Sequence, residues 1–93
     1  MNKSDLIDAL STKADITKVE AGRVLDLLLE EVMSAVAQGD SVTLIGFGTF
    51  KPAERAAREG KNPKTGVTIM IPATTVPKFS AGSSFKDRVA GKP

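Results

Sequence analysis

Four cations stand close together in a stretch that has little else to do: Arg55, Arg58, Lys61 and Lys64, between Arg55 and Ile71. Glu59 is the one countercharge among them, and no large apolar residue occurs between Phe50 and Val67. At the centre, Asn62 and Pro63 suit the first two positions of a type I turn, and Gly66 can take the positive φ that a short hairpin loop needs. The pattern predicts a basic β-hairpin arm. A two-stranded ribbon without a packed face is marginal alone, so its use is to meet a negatively charged partner. Nucleic acid is the leading candidate, with phosphate contacts from the four cations and Pro63 as an apolar wedge at the tip. A plainer reading, in which the charges only stop an edge strand from pairing with its copies, accounts for the charge but not for the arm's length.

Other chemistry is poorly served. With no His and no Cys, the common bases, nucleophiles and thiolate ligands are missing. The carboxylates fall mainly on helix faces, where solvation is the ordinary explanation. Gly46-x-Gly48 lacks the third glycine and the following helix of a dinucleotide fingerprint, and Gly60 to Gly66 lacks the Gly-Lys-Ser/Thr ending of a phosphate loop. No enzyme activity, metal or cofactor is expected.

The net charge of +2 is unevenly divided. Residues 1–45 sum to −4 and residues 46–93 to +6, the footprint of a polyanion-binding surface on an acidic body. Ninety-three residues suggest one domain, 1–93, with a body small enough that oligomerisation is often required. The N-terminus places charges where a signal peptide needs its apolar core, and no window approaches the roughly 18 apolar residues of a membrane span. A soluble cytosolic protein is expected.

The elements that must position the arm follow from periodicity. Asn2 with Asp5 caps a first helix carrying Leu6, Ile7, Leu10 and Ala14. Thr17 with Glu20 opens a longer one that runs until Gly39. Its apolar residues, among them Val19, Val24, Leu25, Leu28, Leu29, Val32 and Val36, cover more than one stripe. The second face is covered either by the first helix and the sheet together or, as we favour, by the same helix of another subunit. Val42 and Leu44 alternate with polar neighbours as a strand, Gly46-Phe47-Gly48 turns the chain into Thr49-Phe50, and Pro52 marks the start of the arm. Val67, Ile69 and Ile71 share one face of the returning strand and Thr68 and Met70 the other. Val76 and Phe79 re-enter the sheet, and Gly82-Ser83-Ser84 caps a terminal helix bearing Phe85 and Val89. The class is α+β: two N-terminal helices, a three-stranded antiparallel sheet with a long β-hairpin arm, and a short C-terminal helix. Residues 1–45 form the helical dimerisation part and first strand, 52–75 the arm, and 76–93 the last strand and helix.

Gly46-Phe47-Gly48-Thr49-Phe50, then Arg55, Arg58, Gly60 and Lys61-Asn62-Pro63-Lys64-Thr65-Gly66, resembles the signature of the bacterial histone-like HU and integration host factor family. The likeness extends to Asn2-Lys3-x-x-Leu6-Ile7, Gly39-Asp40, Val76-Pro77-x-Phe79 and Phe85-Lys86-Asp87. It implies an intertwined dimer whose two arms embrace duplex DNA through the minor groove and bend it, in the bacterial cytoplasm at the nucleoid. By the same resemblance Pro63 is the intercalating wedge and Arg55, Arg58, Lys61, Asn62 and Lys64 are arm contacts. Lys3 and Lys86 flank the bound DNA, and Val24, Leu28, Leu29, Val32, Leu44, Phe47, Phe50 and Phe79 form core and dimer contacts. Relatives often carry lysine or arginine where this chain has Val67, Met70 and Ser83, which bears on affinity and on the length of DNA engaged. Lys61 stands where many have arginine, without the planar fork. The implied function is low-preference DNA binding, bending and compaction by a homodimer, or by a heterodimer with a paralogue. Site-specific bending in the manner of integration host factor, and an RNA-binding or assembly module, are the alternatives.

Overall fold

A computed structural model describes residues 1–92. Its elements run α1 (Lys3–Ala14), α2 (Lys18–Ala37), β1 (Val42–Leu44), β2 (Gly48–Arg55), β3 (Arg58–Lys61), β4 (Thr68–Ile71), β5 (Thr74–Ala81) and α3 (Ser83–Val89). The chain packs as two compact units, Met1–Ser34 and the remainder from Ala35.

In the first unit, Asn2 caps α1: its side-chain oxygen accepts from the Asp5 N–H at 3.0 Å, and the Asp5 carboxylate accepts from the Asn2 N–H at 3.1 Å. Both halves of the expected capping box are present. The connection to α2 is short because Asp15 turns left-handed at φ 55° while the Ser11 hydroxyl donates to the Ile16 carbonyl at 2.8 Å. Thr17 Oγ1 then accepts from the Glu20 N–H at 3.1 Å, satisfying one of the first free donors of α2. The two helices approach closely where Ile7 meets Gly22, and a Cβ there would lie 3.4 Å from Ile7 Cδ1. Yet Ala21 is the one buried apolar residue among those described.

In the second unit, α2 ends with the Asp40 N–H donating to the Ala35 carbonyl at 2.9 Å. β1, β2 and β5 form an antiparallel sheet in the order β1-β2-β5, and β3 and β4 form a separate antiparallel pair. One sheet face carries Phe50 directly opposite Phe79, their ring centroids 4.7 Å apart. Phe47 joins them and stacks on Phe85 of α3 at 5.3 Å. Four aromatic side chains thus make the apolar centre of this unit. Gly48 is required for it: a Cβ would sit 2.5 Å from the Ser80 carbonyl and 2.6 Å from the Phe79 ring.

Two details differ from the sequence reading, at Pro52 and Val67, and the cap of α3 is resolved to one residue. Pairing does not change at Pro52, for the β2–β5 ladder runs on through Pro52↔Pro77 to Arg55↔Thr74. Two facing prolines are tolerated because neither position of a non-hydrogen-bonded pair donates into the ladder between them. Within the expected Gly82-Ser83-Ser84 cap of α3, Gly82 is the N-cap residue, and no side-chain bond accompanies it. Val67 lies one residue outside β4, which begins at Thr68.

Candidate nucleic-acid interface

The break in pairing comes four residues later than Pro52. Ala56-Ala57 on the way out and Pro72-Ala73 on the way back are in no strand, and Pro72 has no N–H to offer a ladder. An open cleft of about 400 Å³ lies there, lined by Glu54, Arg55, Ala56, Ala73, Thr74 and Thr75. Beyond it β3 and β4 pair as Arg58↔Ile71, Glu59↔Met70, Gly60↔Ile69 and Lys61↔Thr68.

Because directly opposed residues share a face, Arg58 and Gly60 lie with Ile69 and Ile71, while Glu59 and Lys61 lie with Met70 and Thr68. A Cβ on Gly60 would come within 2.9 Å of Ile71 Cδ1, so the missing side chain lets Ile71 fold over the ribbon. The sequence reading treats the arm's cations as one group. The register instead puts Arg58 and Lys61 on opposite faces, so both sides of the ribbon carry positive charge.

The tip is held by short-range bonds. The Asn62 N–H donates to the Val67 carbonyl at 2.9 Å and closes the hairpin. Asn62 Oδ1 accepts from the Lys64 N–H at 2.9 Å, an Asx turn that fixes the chain around Pro63. The Gly66 N–H reaches back to the Asn62 carbonyl at 2.8 Å, a loop one residue wider than the expected type I turn. Gly66 supplies the left-handed step at φ 70°, as the sequence reading anticipates. Pro63 and Lys64 are exposed at this tip, and Asn62 is half-buried.

Arg55, Arg58, Lys61 and Lys64 are exposed. The ion pairs among the described residues are Lys3 with Asp26 and Lys18 with Asp8, both in the helical unit. Among the described residues none of the arm cations is in an ion pair, although Glu59 shares a ribbon face with Lys61, whereas Lys3 is already matched by a carboxylate. Lys86 lies in the last turn of α3, so Lys3 and Lys86 belong to different units from each other, and only Lys86 shares its unit with the arm. Of the core and dimer set, Val24, Leu28 and Leu29 remain 61%, 51% and 44% exposed. Leu44, Phe47 and Phe79 are also on the exposed side, while Val32 and Phe50 are half-buried.

Two basic residues escape the sequence reading. Lys51 and Lys78 sit directly opposite each other across β2 and β5. The signal is a four-residue spacing from Lys51 to Arg55 on one strand face, legible only once β2 is carried through Pro52.

The chain matches, over residues 1–90, the family described as bacterial DNA-binding protein. It is 54% identical over 90 residues to the DNA-binding protein HU of Nostoc sp., covering 97% of this chain and 96% of that one. It is 56% identical over 89 residues to HU-beta of Pseudomonas aeruginosa, covering 96% and 99%. Among solved structures it is similar to Anabaena HU in a cocrystal with DNA, with TM-score 0.95, 54% identity and 97% and 98% coverage. HU from Thermotoga maritima aligns with TM-score 0.69 and 31% identity over 96% and 98%.

Proposed function

The chain belongs to the bacterial DNA-binding protein family, and on that premise we propose that it is a histone-like, nucleoid-associated protein that binds duplex DNA, bends it and compacts it with little sequence preference. The observation that carries this reading is the ribbon itself: exposed cations outside any ion pair on both faces, and Pro63 exposed at a tip fixed by the Asn62 bonds. A groove has two phosphate walls, and a ribbon charged on both faces meets both of them. Arg55, Arg58, Lys61 and Lys64 take phosphate contacts, Asn62 holds the tip, and Pro63 is the wedge that opens a base step. Lys86 adds a cation in the unit that carries the arm, and Lys3 adds one in the helical unit once it is released from Asp26.

The active form is a dimer. A chain with one buried apolar residue among those described and a row of half-exposed leucines and valines on α2 has its core in the subunit contact. The protein acts in the bacterial cytoplasm, at the nucleoid. Among the described residues no helix is long and apolar enough to cross a membrane.

The deciding experiment measures binding and bending of linear, nicked and scrambled-sequence duplexes by the purified protein. Similar affinities for scrambled duplexes, with measurable bending, are expected. Strong preference for one sequence would favour a site-specific bender, and tighter binding to RNA than to duplex DNA would overturn the reading. Arg58→Ala should flatten the slope of log affinity on log salt by about one contact per arm. An unchanged slope would move the interface off the arm.

A further inference from the structure

We propose that Glu59 reads base composition in the minor groove: its carboxylate accepts a hydrogen bond from the exocyclic amino group of guanine, so the arm favours duplex in which G·C pairs lie beneath it. This rests on the DNA-binding reading and names what the same arm distinguishes.

Glu59 is the single acid between Arg58 and Ile71, and it is exposed. A ladder ordinarily matches an acid with a cation directly opposite, but the residue opposite Glu59 is Met70, uncharged and 66% exposed. Lys61 shares the face yet stands two residues along the strand, roughly 6.6 Å away at about 3.3 Å per residue. Arg58 is on the other face. Among the described residues the ion pairs lie in the helical unit, so the Glu59 carboxylate enters the groove without a cation bound to it.

A carboxylate carried between phosphate walls is repelled by them and loses water from its oxygens. It is stabilised there where a donor replaces that water. Base edges in the minor groove offer one kind of donor: A·T pairs present the acceptors adenine N3 and thymine O2, and G·C pairs add the guanine N2 amino group. An ionised Glu59 has acceptor oxygens and no donor, whereas Arg58 and Lys61 are donors only and suit the acceptors of either pair. The preference therefore comes from Glu59 and runs toward G·C. A·T and T·A look alike in this groove, so composition is read and order is not, and scrambled duplexes of one composition still bind alike.

Inosine is guanine without the amino group, and 2,6-diaminopurine is adenine with one added. Replacing guanine by inosine throughout a nicked duplex should weaken binding of the parent about tenfold, the size of one hydrogen bond to a charged group. Diaminopurine in place of adenine should tighten it. The amino group also alters groove width and stiffness, so the deciding quantity is the cycle with Glu59→Ala: shape effects act on both proteins, the contact on the parent alone. Glu59→Ala should show a much smaller guanine-to-inosine ratio and should bind the inosine duplex more tightly than the parent does, because a repelled charge is gone. Glu59→Gln keeps an acceptor oxygen without the charge and should retain a reduced preference of the same sign. Ratios taken within one variant cancel any change in the order of its arm. Equal ratios for the parent and Glu59→Ala overturn the proposal, as does a Glu59→Gln that behaves as Glu59→Ala, and in both cases a parent that binds duplex leaves the DNA reading standing. A parent that binds no duplex overturns that reading and the proposal with it.

Discussion

At the residue scale, Pro63 separates two contributions that usually travel together. Pro63→Ala keeps every charge, so the counterion-release part of binding should survive. Bending rests on an apolar group held in an unstacked step, at a cost of a few kcal/mol per step, and should weaken. Proline also stiffens the turn, so the control is nicked duplex, which supplies the kink in advance. The variant should lose more affinity for intact than for nicked duplex and should circularise short fragments poorly. Equal losses would point to a loosened arm. Gly48 is a different case, because its substitution drives a Cβ into the Ser80 carbonyl and the Phe79 ring. Gly48→Ala should cost about 1–3 kcal/mol, read as a lowered urea midpoint, with Phe47, Phe50 and Phe79 pushed apart.

At the scale of elements, the arm is a ladder hinged to a ladder. β2 and β5 stay paired to Arg55↔Thr74, and β3 and β4 begin again at Arg58↔Ile71. Few apolar contacts hold the outer ladder beyond Ile71 over Gly60, so it belongs to the low-stability end of the molecule. Amide exchange should be fast at Gly60 and Ile69, whose N–H groups face each other across the outer ladder, in the free protein and slow at Phe50 and Lys51. Duplex should protect the first group, and equal exchange rates in both ladders of the free protein would contradict the hinge. Much of this was legible beforehand. Asn2 with Asp5, Thr17 with Glu20, and Gly66 each carry their own local bonding chemistry, and the alternation of Ile69, Met70 and Ile71 survives any tertiary context. Pro52 misled, because one residue's lack of an N–H looks like the end of a strand until the partner position is known to be Pro77. Faces and register depend on that pairing across some 25 residues, which is why Lys51 and Lys78 could not be read as neighbours from spacing along the chain.

At the scale of the whole molecule, stability and association are one quantity. With apolar residues of α2 left open to water in the single chain, the unfolding midpoint should rise with protein concentration. Sedimentation should show dimers at micromolar concentration. A monomer that unfolds cooperatively at a concentration-independent midpoint would remove the two-armed reading. The near-empty interior around Ala21 also governs how long a given pair of chains stays together. A protomer that buries so little cannot wait, folded, between partners, so two pre-formed dimers trade subunits only as fast as they unfold. Mixing mass-labelled and unlabelled protein should yield mixed pairs at the unfolding rate, quickening with urea in parallel with it. If a paralogous chain shares the cell, the proportion of mixed pairs is then set when the chains are synthesised together, and later changes in supply rewrite it only slowly.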